Sequence, residues 1–435
     1  MTSAPTTSKI VFLIAGLIIG LIIGYGIGYA TITPQQVTVT STTTVTSQAT
    51  VITTATPAEK VKLIVIGPWA GAEMEAFQQV LNKFTEEYPN IEVEYRIYRA
   101  EDLASIAPPQ FEAGMAPGDV IFSAWGWWVK EMGEKGHLMD LSGLVNTNEF
   151  VSGIFDPVKS GDKIYGLPFT AWAKPGFWYR KSFFQAYGLQ EPKSWDEFLQ
   201  LLDKIKGISG IEAPIVTGDS VGWPISDVTE HFIITFGNID MQLKLVKGEL
   251  KFNDPQVKEV FEKYLVPLIK EGYFSEPIEW TKAIEEWWNG KYALYFMGTW
   301  LTGMVDDPND LGFFPLPGCE GVVMGTDYIF VPKYTKHPEE AKLLAKWLAT
   351  EGQRVHVGTH AGKFATWLKV SVEDHWTPMQ VVYEKLSKMK PVPDLDDSVG
   401  GDWQKLFWDQ LKLLWVDPDK LDEVLNTLTE NFPKE

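Results

Sequence analysis

From residue 62 onward, short apolar runs alternate with longer segments whose apolar residues recur every three to four positions. KLIVIG (62–67) has the length and composition of a short buried strand. EMEAFQQVLNKFTEEY (73–88) places Met74, Phe77, Val80, Leu81, Phe84 and Tyr88 on one helical face, and Pro89 and Asn90 stop it. IEVEYRIY (91–98) alternates apolar and polar residues at period two, and PGDVIF (117–122) opens the next strand. Strand, helix, strand, helix predicts an α/β fold with a largely parallel sheet.

The theme continues. KIYGLPF leads to GFWYRKSFF (176–184), and in SWDEFLQLLDKIKG Ser194 and Glu197 have the spacing of a capping box, with Gly207 as the stop. A helix TKAIEEWWNG gives way to a strand KYALYFMG, and GTDYIFVP is a further strand. HPEEAKLLAKWLATEG reads as a helix with Pro338 in its first turn. No fixed-period repeat is present, and the C-terminal third is helical and rich in tryptophan.

The N-terminus is of another kind. Residues 10–32, IVFLIAGLIIGLIIGYGIGYATI, carry no charge and are long enough to cross the hydrocarbon core of a bilayer. A cleaved signal usually has a shorter apolar core, so 1–33 is expected to be an uncleaved membrane anchor rather than a signal segment. Lys9, the only basic residue beside it, places the short N-terminus inside and the rest outside the cell. Residues 34–59, dominated by Thr and Ser, cannot build a core and read as an extended extracellular linker. The folded module begins near Lys60.

The formal net charge of -19 excludes a nucleic-acid partner, which needs a basic surface, and a peripheral protein held by anionic lipid. With a single cysteine, Cys319, neither an internal disulfide nor a multi-cysteine zinc site is possible. The six histidines are scattered and form no HExxH. The 18 tryptophans point to carbohydrate, because a flat indole stacks on the apolar face of a sugar ring.

The order of motifs resembles a known family. AGMAPGDVIFSAWGWWVKEMGEKGHLMDL, LPF…WYRKSFFQAYGL, NGKYALYFMGTW, GFFPLPG…GTDYIFVP and HPEEAKLLAKWL, following the first helix, are similar in sequence order to the extracellular solute-binding proteins of ABC importers, in particular the maltose- and glucose-binding group. The anchor and Thr/Ser-rich stalk resemble the archaeal, membrane-held versions. The resemblance implies a two-lobe, type II periplasmic-binding-protein-like fold. One lobe is expected at 60–171 plus 327–372, the other at 172–326 plus 373–435, closing on a ligand between them. It also implies a monomeric binding module, a sugar ligand, a membrane permease as partner, and no cofactor, metal or catalytic residue.

Ligands of open α/β sheets bind beyond the carboxyl ends of the strands. Three such ends supply candidates: Trp69 and Glu73 after the first strand; Trp125 and Trp127 in SAWGWW, with Trp128 turning inward; and Gly298 and Trp300 in FMGTW. The resemblance matches Trp125 and Trp127 to a ligand-presenting loop and Gly298 and Trp300 to a sugar-stacking turn. Gly126 and a second indole stand where sugar binders often carry an acid and a base. Further candidates are Trp172 in AWAKPG, Asp219 and Trp223 in GDSVGWP, Asp327 in GTDY, and Trp403 in GGDW. Trp195, Trp287, Trp288 and Trp347 lie in amphipathic helices and are expected to pack. The rival readings are a secreted glycoside hydrolase, which needs two carboxylates facing a scissile bond, a structural surface protein, and a binder of a non-sugar solute such as a peptide, a metal ion or a polyamine, the last held by Glu73, Asp219 and Asp327.

Overall fold

The computed structural model describes residues 60–433. The expected anchor (1–33) and linker (34–59) lie outside them. Among the described residues no helix is long and apolar enough to cross a membrane.

The strands that organise the fold are, in chain order, β1 (Val61–Gly67), β2 (Ile91–Ile97), β3 (Val120–Ser123), β4 (Leu167–Lys174), β5 (Phe177–Arg180), β6 (Ala213–Val216), β7 (Tyr292–Phe296), β8 (Leu311–Phe314), β9 (Gly321–Phe330), β10 (Phe364–Ala365) and β11 (Lys390–Pro393). They form two separate sheets. The larger runs β10-β4-β9-β3-β1-β2, with β11 also beside β9; the smaller runs β8-β5-β7-β6. Each sheet anchors one lobe, so the two-lobe architecture predicted from the sequence is present.

The helix Gly71–Glu87 follows β1 and buries Phe77, Val80, Leu81 and Phe84, the stripe its periodicity marks. β1 pairs in parallel with β2 and β3, as a strand–helix–strand unit requires. β9 is likewise parallel to β11 and β7 to β6, but the remaining pairings make both sheets mixed, which corrects the expectation of a largely parallel sheet. β9 runs antiparallel to both β3 and β4, and β5 antiparallel to both of its neighbours. The cause is topological: β4 leads out of the first lobe and β9 leads back into it, so adjacent crossing strands point in opposite directions.

The crossings are continuous strands. β4 and β9 stay paired as far as Lys174 and Val323, and β11 flanks Gly321–Met324. Residues 172–174, 321–324 and 390–393 therefore form a ribbon between the lobes, and the positions 171/172 and 326/327, where the sequence reading divides them, fall inside β4 and β9. One buried apolar cluster continues from Ile66, Phe111 and Trp128 of the first lobe to Phe232, Trp408 and Leu428 of the second, so the lobes are in contact.

Local chemistry sets the helix ends. Ser194 accepts a hydrogen bond from Glu197 N at 3.2 Å, but the Glu197 carboxylate reaches back to Lys193 N at 2.8 Å, one residue before the partner a capping box uses. Trp287 is fully buried and Trp347 is buried at 5 % exposure, as their amphipathic helices predict.

Candidate functional site

The seam between the lobes gathers most of the predicted tryptophans. Trp172 and Lys174 alternate with Ala173 at the end of β4 and so share one face of the crossing strand. The Trp172 indole lies against Gly325 of β9; a Cβ there would come within 2.3 Å of the ring. Trp300 enters from the turn after β7. Gly298 lets its indole fold back over the backbone, since a Cβ at 298 would lie 2.0 Å from it. Trp300 meets Trp172 and Trp223 edge-on, with ring centroids 5.8 and 5.7 Å apart. Trp223 in turn lies 5.4 Å from Trp280. Trp223, Trp280 and Trp300 are only half-buried, so this cage retains accessible aromatic surface.

A lysine flanks the cage on each side. The register of β9 slips between Thr326 and Tyr328, a bulge that re-aims Asp327. Lys363 Nζ donates to Asp327 Oδ2 at 3.3 Å and stands 5.6 Å from the Trp300 ring. Glu73, buried in the first turn of its helix, shares this environment: burial pushes its carboxyl up to about 7, with Lys363 opposing and Asp327 assisting. Burial likewise raises Asp327 against the pull of Lys363.

On the other side, Lys174 Nζ lies 4.9 Å from the Trp172 ring centroid and 6.0 Å from that of Trp223. It donates to Asp227 and, at 2.5 Å, to Asp394. Burial favours loss of its proton, but Asp227, Asp394, Glu230 and Asp397 outweigh burial and hold the ammonium well above its usual range. Glu230 accepts from Leu395 N at 2.7 Å and from Gln242, and Asp396 accepts from Trp408 Nε1. Burial and the neighbouring carboxylates push Glu230, Asp396 and Asp397 well above the ordinary range. Burial works against ionising Asp394 too, but Lys174 overcomes it and holds that carboxyl low. Carboxylate oxygens of Asp227, Glu230 and Asp394 lie within 4.8 Å of one another, as a cation site would require. Lys174, bonded to two of the three, already supplies that positive charge.

The loop after β3 forms a second arm. Trp125 and Trp127 stack at 5.9 Å and 19°. Trp125 faces Trp408 of the second lobe at 6.1 Å, and Trp127 lies over Gly400, where a Cβ would come within 2.5 Å of the indole. Gly400 also has φ 67°, a conformation that favours glycine. Trp127 Nε1 is buried and has no hydrogen-bond partner among the described residues. The arm adjoins the cage: Ala124 packs in the small cluster of Trp172, Ile234, Val323 and Val392 that Trp300 also touches. Trp128 turns inward against Phe330, with centroids 5.7 Å apart. Asp219 accepts from Gly222 N at 3.0 Å, fixing the loop before Trp223, and lies 3.8 Å from Lys412. Beside it, Arg99 of the first lobe approaches Glu279 of the second at 3.5 Å.

Two of the predicted site residues are corrected. Trp69 does not face the seam. It is 2 % exposed inside the first lobe, ringed by Phe77, Phe122, Phe169 and His356, because the chain turns back over β1 and the apolar indole completes that core. Trp403 is packed in the second lobe among Phe252, Phe407 and Phe432, with its Nε1 donating to Leu428 O at 3.2 Å. The helix Gly401–Val416 directs Trp408 at the seam instead, five positions further on. Lys174, Lys363, Gly400 and Trp408 were missed by the sequence reading. The signal for Lys174 was present: it is the one charged residue in the buried strand LPFTAWAK.

Residues 69–355 match the family described as bacterial extracellular solute-binding protein. An uncharacterised ABC transporter extracellular-binding protein of Pyrococcus horikoshii is 62% identical over 391 residues, 90% of this chain and 93% of that one. Among solved structures, the bacterial solute receptor AcbH, described as having an exclusive preference for β-D-galactopyranose, superposes with a TM-score of 0.76 at 18% identity, covering 86% of this chain and 98% of that one. Maltose-bound T. maritima MalE3 does so with a TM-score of 0.69 at 19% identity, covering 86% and 99%. With two lobes, three crossing segments and a seam lined from both sides, the chain belongs to the extracellular solute-binding proteins of ABC transporters.

Proposed function

We propose that the seam is a cleft that closes on a neutral sugar outside the cell, and that the closed protein delivers it to the permease of an ABC importer. The observation that carries this reading is the meeting of Trp172, Trp223 and Trp300 between two buried lysine–carboxylate pairs. Indole surface supplies contact for the apolar face of a sugar ring. Each hydroxyl both donates and accepts, a demand that the ammonium and carboxylate groups flanking the indoles meet from both sides. Hydrogen bonds to such charged groups add about 1.5–3 kcal/mol each, and closure keeps water from them. The sugar ligands named for AcbH and for MalE3 agree with this chemistry.

A polyamine is favoured by one feature, the excess of buried carboxylates. Of the three expected cation-binding acids, however, Asp327 is already paired with Lys363 and Asp219 lies beside Lys412, and burial pushes the Glu73 carboxyl up to about 7, which disfavours its charged form. In this reading the protein binds without turnover and acts as a monomer. Residues 1–33 anchor it, 34–59 hold the module away from the membrane in the archaeal manner, and the lobes are 60–171 plus 327–372 and 172–326 plus 373–435, hinged within β4 and β9.

A thermal-shift screen of the module against mono- and oligosaccharides and polyamines tests the reading. A ligand bound only by the native state adds about 2.7 kcal/mol at a hundredfold excess over its Kd, and so raises Tm. The expected result is a rise with at least one sugar and no product on incubation. A rise with polyamines alone, or accumulation of hydrolysed sugar, refutes it.

A further inference from the structure

A cavity of about 410 Å3 opens along the same seam, beside the cage. Its walls come from both lobes. The first contributes Gln79, Thr359 and His360; the second contributes Thr302 and Asp306; Trp376 stands just before the helix Thr377–Leu386. The volume lies within the range of small-molecule sites, roughly 300–1,000 Å3.

The lining selects the chemistry. Among the described residues it contains no lysine or arginine, which disfavours an anion, and its single carboxylate, Asp306, is exposed. The remaining polar groups suit hydroxyls. The Thr302 and Thr359 hydroxyls donate to the carbonyls of Thr299 and His356 at 2.9 and 2.6 Å, and Thr359 Oγ1 also accepts from Ala361 N at 3.3 Å, which leaves one Thr359 lone pair and those of Thr302 to accept. His360 Nε2 lies 2.9 Å from Ala72 O. A carbonyl oxygen only accepts, so Nε2 carries the hydrogen, and Nδ1 of the neutral ring is an acceptor. The Gln79 amide both donates and accepts. Trp376 is half-buried and stands edge-on to His360, with centroids 6.4 Å apart, offering an indole to the cavity.

The cavity and the cage share a wall. The turn Thr299–Gly303 carries Trp300 at the cage and Thr302 at the cavity. Gly303 and Gly362 let this turn touch the segment 360–362 of the other lobe: a Cβ at 303 would lie 1.9 Å from His360 O, and one at 362 would lie 2.8 Å from Trp300 Cα.

We propose that this cavity is a second carbohydrate subsite, in which Trp376 receives one ring of an oligosaccharide that straddles the Thr299–Gly303 turn and stacks at its other end in the cage. The proposal rests on the sugar reading above and extends it from a ring to a chain of rings. Because each lobe supplies part of the wall, the subsite is complete only when the lobes are together, and longer sugars favour closure more strongly.

Calorimetric titration of the full-length protein with malto- and galacto-oligosaccharides of one to four rings tests it. Wild-type affinity is expected to rise with chain length. Trp376→Ala is expected to lower the affinity for the longest sugar at least about tenfold, while leaving the single-ring sugar within about twofold. Gln79→Ala, on an exposed helical position, is expected to act in the same direction without perturbing folding. Unchanged affinities at every chain length overturn the subsite, as does an equal loss for one ring and four. If affinity survives for single rings but never grows with length, the subsite fails and the sugar reading stands; if no sugar binds the wild type, both fail.

Discussion

Lys174 Nζ and Asp394 Oδ2 lie 2.5 Å apart, and this buried pair ties the first chain crossing between the lobes to the segment that follows the third. Asp227, on the helix Trp223–Phe232, completes the junction from the second lobe. Removing the ammonium takes from Asp227, Glu230, Asp394 and Asp397 the one cation that acts on them among the described residues. Lys174→Met is therefore expected to cost about 3–5 kcal/mol at neutral pH, the usual penalty for breaking a buried pair. Urea unfolding measures it. Adding Asp227→Asn and Asp394→Asn to Lys174→Met is expected to recover most of the loss, and an unchanged midpoint for Lys174→Met alone would dismiss the pair as a structural tie.

Trp300 touches the cage on two sides yet keeps accessible surface. Trp300→Ala is expected to weaken sugar binding about tenfold or more, about 1.4 kcal/mol, with the native circular dichroism retained. Equal affinity for variant and wild type would remove Trp300 from the site.

The Trp127 indole N–H is buried without a partner among the described residues. An unmet donor costs free energy in the ligand-free protein and is available to a ligand. Trp127→Phe removes it while keeping an aromatic ring over Gly400. The expected outcome is little change in Tm but a several-fold loss of sugar affinity. A lower Tm with unchanged affinity would assign the indole to packing alone.

Glu73 titrates at about 7 in the folded protein against an ordinary 4.5, because burial disfavours its charged form. The folded state thus binds this proton more tightly than the unfolded state. The resulting stabilisation is fully present below about 4.5 and is lost as pH rises through about 7. Relative to Glu73→Gln, the wild type is expected to become less stable across that interval. Paired urea titrations at pH 4.5, 6 and 8 check the sign; a difference that does not vary with pH would refute the shift.

The outlines of the fold were legible in the sequence because they rest on local rules. Period-two and period-3.6 patterns fix β1, β2 and the helix Gly71–Glu87, and Ser194 caps its helix whatever lies beyond it. Strand ends singled out Glu73, Trp125, Trp127 and Trp300, and the crossings singled out Trp172, Trp223 and Asp327; the fold brings these side chains together at the seam.

What local pattern could not settle is which neighbour a side chain meets. Trp69 and Trp300 both follow a strand, but one is closed in by Phe122, Phe169 and His356 from distant segments, and the other meets Trp172 and Trp223 across the seam. The antiparallel entry of β9, the bulge at Asp327, and the placing of Lys174 and Lys363 beside indoles likewise depend on chain returns separated by many residues. The sequence by itself determined the elements, because hydrogen bonds and periodicity within a segment decide them. Only the tertiary structure decided which tryptophans form the core and which line the gap, because burial is a property of the surfaces brought together and not of the residue.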